Sequence, residues 1–318
     1  MLLFFIAKVR ENMEVLHFLR DISSPILDKI FLAITFLGDE TFFIIIGLLV
    51  FWCIDKYEGY FVLSVGFIGT IINQFLKILF RVPRPWVKDP TLKAASGALE
   101  GAGGYSFPSG HTQSSVGTFG SIAAFTKRKA VRIAAIALCV LIPFSRLYLG
   151  VHTPQDVLVS FAIAVLLIFA LRPIIKRGRE NSAYIWGLIA FMAALSFAFL
   201  IYMEFFCIPD GTENYLHAYE NSYTLAGCIL GFAVIFFADT RYLKFKTAAP
   251  LFGQFLKLLF GVLIVFAVKE GLKIPLSYII PHEGLARLIR YFLLVVAAGA
   301  VWPATFGWFS RLKSPFNK

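Results

Sequence analysis

Three cations, two imidazoles and one carboxylate stand in three short stretches of this chain. The stretches are "KILFRVPRP" with Lys77, Arg84 and Pro85, "PSGH" from Pro108 to His111, and "SRLYLGVHTPQD" with Arg146, His152 and Asp156. Guanidinium groups bind phosphoryl oxygens through paired hydrogen bonds, and Lys77 adds a further cation. Ser109 and Gly110 stand where a helix opens, so their backbone N–H groups point outward at the positive end of its dipole. Gly110 has no Cβ and lets an anion approach closely. Such a set fits a phosphate ester. One histidine can attack phosphorus and the other can protonate the leaving oxygen. If "TPQD" starts a helix, with Thr153 as cap and Pro154 at its first position, Asp156 falls in the first turn. From there it can hold the His152 imidazole N–H and fix its tautomer.

Each residue also has a plainer reading. Asp156 can cap its helix in a Thr-x-x-Asp box, and Ser109 can be an N-cap alone. Lys77 and Arg84 can be interfacial residues that reach the headgroups. His17, His217 and His282 stand without such company and read as interfacial. Glu204 and Lys257 lie within or near apolar runs, and their places near segment ends suit headgroup contact better than a function inside the bilayer.

The elements that must position these residues are membrane helices. The chain has 318 residues, 58% hydrophobic and 15% charged, with a mean hydropathy of +0.77. Soluble chains carry about a quarter charged residues. Several apolar runs approach or exceed the ~20 residues that cross hydrocarbon, and they are continuous rather than alternating, which excludes a strand-based barrel. Crossings are expected at 40–55, 59–80, 112–126, 130–145, 156–171, 183–207, 222–238, 251–268 and 288–307. Residues 26–37 either lie flat or extend the first of these. The opening residues, "MLLFFIAKVRENMEVLHFLRD", read as an amphipathic interfacial segment rather than a signal peptide, because no basic residue precedes the apolar run. A polar, Gly-rich loop fills 81–108. No soluble domain, internal repeat or low-complexity segment interrupts the chain, so 1–318 reads as one membrane domain.

Charge sets the sidedness. The net charge is +11, which in a soluble chain would suggest nucleic acid; here cytoplasmic loops account for it, and no nucleic-acid partner is expected. Lys127, Arg128, Lys129 and Arg132 follow one crossing, Arg172, Lys176, Arg177 and Arg179 another, and Arg241, Lys244 and Lys246 a third. The C-terminus adds Arg311, Lys313 and Lys318. Alternate crossings put all four groups on one side, the cytoplasmic one. The facing loop "IPDGTENYLHAYE" has no Lys or Arg, although Lys8, Arg10, Lys88, Lys93, Lys269, Lys273, Arg287 and Arg290 share its side. The three motifs then meet outside, at three helix ends. Cys53, Cys139, Cys207 and Cys228 lie in or at the edge of apolar segments without a CxxC pair, and read as buried thiols.

Lys-x6-Arg-Pro, Pro-Ser-Gly-His and Ser-Arg-x5-His-x3-Asp, in this order between Lys77 and Asp156, resemble the type-2 phosphatidic acid phosphatase family. The family's site is also similar to that of vanadium haloperoxidases. The nine apolar runs give an all-α, polytopic transmembrane bundle of about nine helices, within which the resemblance implies a six-helix phosphatase-type core. It implies His152 as the nucleophile that forms a phosphohistidine, Asp156 as its orienting group, and His111 as acid for the leaving alcohol and then base for water. Lys77, Arg84, Ser109, Gly110 and Arg146 would hold the phosphoryl group. The family requires no metal, and no cofactor is implied. The expected partners are a phosphorylated lipid substrate in the bilayer and the membrane lipids themselves.

Beyond Asp156 the likeness is one of layout. About nine helices with an outside N-terminus look like the glucose-6-phosphatase branch and, less closely, the sphingosine-phosphate phosphatases. Asp156 departs from glucose-6-phosphatase, which lacks an Asp at this place. A lipid phosphate or diphosphate is therefore the leading substrate, with a sugar phosphate at the same site as the rival. Loop 86–107 offers few groups for sugar hydroxyls, Ser96 and Glu100 being the main ones. A transporter or lipid-moving protein is a rival of another class, and it would leave the three motifs unexplained.

Overall fold

The computed structural model describes residues 13–99, 101–209 and 211–312, and these form helices joined by short connections, with no strand among them. Hydrocarbon offers the backbone no partners, so apolar runs close their hydrogen bonds internally as helices. In order they are α1 (13–21), α2 (Pro25–Phe36), α3 (Glu40–Leu49), α4 (Lys56–Phe80), α5 (Pro85–Lys88), α6 (Ser96–Leu99), α7 (Gly110–Phe125), α8 (Lys129–Tyr148), α9 (Pro154–Gly178), α10 (Ala183–Ile201), α11 (Glu213–Ala238), α12 (Leu251–Gly271), α13 (Lys273–Ile279), α14 (Glu283–Val296) and α15 (Phe306–Phe309). Residues 1–12, Glu100, Asp210 and 313–318 lie outside the described residues. With them fall the start of the expected interfacial segment and the C-terminal Lys313 and Lys318.

Among the described residues, seven helical stretches are long and apolar enough to cross a membrane, and the bent pair α2–α3 makes an eighth. The chain is thus an all-α, multi-pass membrane protein. Residues 26–37 neither lie apart nor continue straight: α2 ends at Phe36 and α3 leaves at 48° to it. The ninth expected crossing, 112–126, is α7; its 16 residues rise about 24 Å at 1.5 Å per residue, less than the ~30 Å of hydrocarbon, and they carry the chain from the end that holds Ser109 to the end where α8 begins. Its buried Thr112, Gln113, Ser115, Thr118 and Ser121 suit a helix enclosed by protein.

The chain divides into two compact units. One takes in the described residues up to Ile44, Ile68–Ala170 and 211–217. In it α2 is started by Ser24, whose Oγ accepts from Leu27 N, and by Pro25 at the first position. Phe31 of α2 packs on Tyr148 and Phe144 of α8, with ring centroids 4.2 and 5.6 Å apart. Gly69 of α4 faces Gln113, whose Nε2 would lie 2.3 Å from any Cβ placed there. Small residues here let helices meet closely.

The other unit takes in Ile45–Phe67, Leu171–Pro209 and the chain from Ala218 onward. Tyr60 sits among Phe51, Phe232 and Phe236 at 5.1, 5.2 and 5.5 Å. Gly227 of α11 leaves no room for a Cβ, which would fall 2.2 Å from the Leu288 carbonyl oxygen of α14. At one end of this unit Arg179 donates to Asp55 and Glu58 at 2.8 to 2.9 Å, and Arg172 also pairs with Glu58. The 55–58 turn and the basic 172–179 segment therefore share an end, as the alternation of crossings requires.

One sequence expectation fails here. Lys257 does not reach the headgroups: it is fully buried. Its Nζ donates to the Trp52 carbonyl at 3.0 Å and the Thr247 carbonyl at 2.7 Å, and it lies 4.5 Å from the Phe306 ring centre. Two carbonyl acceptors and a π face replace the water that snorkelling would supply. Glu204 accepts from the Tyr223 hydroxyl at 3.0 Å, His282 caps α14, and His17 contacts Asp89 at 2.8 Å.

Candidate active site

The three motifs meet within the first unit. Lys77 ends α4, Ser109 caps α7, Arg146 lies in the last turn of α8, and Asp156 lies in the first turn of α9. Lys77, Arg84, Arg146, His152 and Asp156 are each 9% exposed or less. The headgroup-seeking alternative for Lys77 and Arg84 is therefore excluded.

The strand of chain between α8 and α9 places His152. Gly150 takes φ +73°, and a Cβ there would press on Ala94 at 3.3 Å. This turn lets Val151 and His152 N–H both donate back to the Arg146 carbonyl, at 3.2 and 3.3 Å. Tyr148, Leu149 and Val151 are held in an apolar cluster with Ala95, Ala98 and Ala102. The α9 start is a reciprocal capping box: Asp156 N donates to Thr153 Oγ1 at 3.3 Å, and Thr153 N donates to Asp156 Oδ2 at 2.8 Å. Asp156 Oδ2 also accepts from Ser106 Oγ at 2.6 Å and lies 3.5 Å from His152 Nδ1. The carboxylate that caps α9 is also the one nearest the imidazole, at 3.5 Å from an Nδ1 that makes no hydrogen bond among the described residues, so capping does not preclude the orienting role.

Arg84 organises the loop. Its Nε donates to Gly104 O at 2.9 Å, Nη2 to Gly103 O at 2.6 Å, and Nη1 to Val151 O at 3.1 Å. Nη1 also meets His152 Nε2 at 2.9 Å. Arginine can only donate, so Nε2 carries the lone pair and Nδ1 carries the hydrogen toward Asp156. Burial, and after it the Arg84 charge, hold the imidazole well below its usual range, so His152 is neutral at pH 7.

Lys77 Nζ donates to the Tyr105 carbonyl at 2.9 Å. Arg146 spends Nη1 on Thr35 Oγ1 at 2.8 Å, while its buried Nε and Nη2 have no hydrogen-bond partner among the described residues. These donors are the most available for an anion, because an unpaired buried guanidinium N–H is costly. His111 follows Gly110 in the first turn of α7, half-buried and within electrostatic range of Arg146, His152, Arg84 and Lys77.

One sequence expectation is refined. The Ser109 N–H is not outward: it donates to the Asp156 carbonyl at 3.2 Å, and Ser109 Oγ accepts from Thr112 N. Ser109 ties α7 to α9, and the outward amides of the turn belong to the residues after it. Sequence reasoning missed Ser106 and Thr35. Ser106 lies two residues before Pro108 and three before Ser109, close enough to be suspected; Thr35 lies 111 residues from Arg146 and carries no motif.

Residues 58–180 match the PAP2 superfamily, and residues 223–314 match the PAP2 superfamily phosphatase transmembrane extension. Phosphatidylglycerophosphatase B of Bacillus subtilis (strain 168) is 31% identical over half of this chain and 82% of its own length. A probable sphingosine-1-phosphate phosphatase of Dictyostelium discoideum is 25% identical over 80% of this chain and 63% of that protein. Undecaprenyl-diphosphatase BcrC of Bacillus subtilis (strain 168) is 30% identical over 33% of this chain and 51% of that protein. The crystal structure of a transmembrane PAP2-type phosphatidylglycerolphosphate phosphatase from Bacillus subtilis is 28% identical, with a TM-score of 0.44 over 54% of this chain and 87% of that one. With three motifs in register and a relative covered over most of its length, this chain belongs to the PAP2 superfamily of membrane phosphatases.

Proposed function

We propose that the protein hydrolyses a lipid phosphate or diphosphate, without a metal, through a phosphohistidine at the extracytoplasmic face. The observation that carries this reading is the Arg84–His152–Asp156 line, which leaves an uncharged Nε2 with its lone pair directed into a cluster of cations. Nε2 attacks phosphorus as the bond from phosphorus to the leaving oxygen breaks, and His111 gives that oxygen a proton. The new phospho-imidazolium is positive, and the Asp156 carboxylate beside Nδ1 stabilises it. His111 then takes a proton from water, the water oxygen attacks phosphorus, and the P–N bond returns its electron pair to Nε2. Arg146, Lys77 and Arg84 carry the positive charge that neutralises the phosphoryl oxygens in both steps. Arg84 is already tied down by three carbonyls, so turning one N–H from Nε2 to the phosphoryl group costs little reorganisation.

A lipid is favoured because the cations sit at the ends of membrane helices. The phosphate can enter while its chain stays in hydrocarbon, avoiding extraction at ~0.8 kcal/mol per CH₂. The test is phosphate release by purified protein from phosphatidic acid, sphingosine phosphate, a polyprenyl diphosphate and glucose 6-phosphate, with EDTA present. Turnover of a lipid ester in EDTA, blocked by vanadate, is the expected result. Release only after Mg²⁺ is restored would overturn the mechanism, and a higher kcat/KM for glucose 6-phosphate would overturn the substrate class.

Sidedness has its own test, on a background in which Cys53, Cys139, Cys207 and Cys228 are Ala. Gly101→Cys, where nothing lies within 4 Å of the new Cβ, should react with an impermeant thiol reagent in intact cells. Ser182→Cys, exposed after the basic segment, should react only once cells are opened. Gly178 is the wrong place for this probe, because its Cβ would strike Ile185 at 2.3 Å. The reverse labelling would invert the topology.

A further inference from the structure

The phosphate cluster has a polar mouth that none of the three motifs contains. Asn214 and His217 are three residues apart at the start of α11, so they share one helix face. That face meets the glycine loop gripped by Arg84. A Cβ on Gly103 would lie 3.9 Å from His217 Nε2, and a Cβ on Gly104 would lie 3.8 Å from both Asn214 Oδ1 and Lys77 Nζ. Gly104 has φ +77°, and the missing side chains keep this gap open. Glu40, in the first turn of α3, is within electrostatic range of Lys77 and His217. The side chains of Glu40, Asn214 and His217 make no hydrogen bond or ion pair among the described residues, and Glu40 and His217 are exposed at this mouth. All three belong to the same compact unit as the cluster.

We infer that Glu40, Asn214 and His217 form a subsite for the leaving alcohol, and that this alcohol carries a hydroxyl or ammonium group within a few bonds of phosphorus. The inference rests on the phosphatase reading above. The position follows from Lys77, which faces the phosphoryl group and borders Asn214 across Gly104. The chemistry follows from the donor set. A carboxylate repels a dianionic phosphoryl group, so Glu40 faces the alcohol side and accepts hydrogen bonds there. Asn214 and His217 can each donate and accept. A prenyl chain brings nothing to these groups and would leave them desolvated without partners, which is the kind of mismatch that a polar site rejects strongly.

The experiment compares kcat/KM for lysophosphatidic acid, which offers a hydroxyl, sphingosine phosphate, which offers a hydroxyl and an ammonium, and farnesyl phosphate, which offers neither. The ratio of each polar ester to farnesyl phosphate cancels any loss of folded protein. In Asn214→Ala/His217→Ala and in Glu40→Gln this ratio should fall by about 10- to 100-fold. A larger fall for sphingosine phosphate than for lysophosphatidic acid in Glu40→Gln identifies the ammonium as its partner; equal falls identify the hydroxyl. Ratios that stay at the wild-type value in both variants overturn the subsite, as does a wild-type preference for farnesyl phosphate. Wild-type protein that releases phosphate from no ester overturns the parent reading and this inference together, whereas altered lipid ratios with active wild type bear on the subsite alone.

Discussion

His152→Ala should lower kcat by about 10⁴-fold or more, the scale on which losing the nucleophile of a covalent mechanism is felt. The side chain is buried and Nε2 is the only imidazole nitrogen that the Arg84 contact leaves with a lone pair. Of its neighbours, Lys77, Arg84 and Arg146 are cations, Asp156 is engaged by Ser106 and Thr153, and His111 is the proton donor of the same step. His111→Ala should behave differently. It removes a proton donor, a loss of about 10²–10⁴-fold, and p-nitrophenyl phosphate should recover much of this because its leaving group needs no proton. Acid-quench trapping with labelled substrate should show phosphoprotein in His111→Ala and none in His152→Ala. The pH profile adds a check: as pH falls, protonation of Nε2 ends attack, and the acidic limb should lie below the ordinary imidazole value of 6.5, the direction in which burial moves His152. Trapped phosphoprotein in His152→Ala would reassign the nucleophile.

Asp156→Asn should cost about 10³- to 10⁴-fold in kcat while leaving the fold intact. The carboxylate accepts from Ser106 Oγ and Thr153 N and lies beside His152 Nδ1. An Asn oxygen can keep the Thr153 bond, so the start of α9 survives. That oxygen is also the one nearest Nδ1, so the loss comes from the missing negative charge beside the phospho-imidazolium. A cap alone would tolerate Asn. Thermal melting in detergent close to wild type, together with a collapsed kcat, is the expected pair of results. Wild-type kcat in Asp156→Asn would reduce Asp156 to its capping role.

The site was legible in sequence where chemistry and spacing coincide. Lys77, Arg84, Arg146, His152 and Asp156 announce themselves because each motif ends or begins a helix, and alternation of crossings brings those ends together. What sequence hid were partners supplied from elsewhere in the chain. Arg84 looks like a phosphate ligand, and its grip on the carbonyls of Gly103 and Gly104 becomes visible only when the loop is folded. Thr35, Asn214 and His217 bear no motif and reach the cluster through tertiary structure. Hydropathy also misjudged one feature: it sent Lys257 to the headgroups because a window sees only its own segment.

Buried Lys257 has a consequence for biogenesis. A lysine within a membrane helix raises the cost of passing into lipid, by up to about 2.5–3.5 kcal/mol for one at the centre of a span, and Lys257 lies in the first third of α12. The acceptors that offset it are the Thr247 carbonyl, ten residues earlier, and the Trp52 carbonyl, synthesised 205 residues earlier. Full pairing of the ammonium in α12 therefore requires the first-made part of the same unit to be in place. Chain order and packing are thereby linked through one side chain, and a chain lacking Trp52 would leave the Lys257 ammonium with the Thr247 carbonyl as its one remaining carbonyl acceptor.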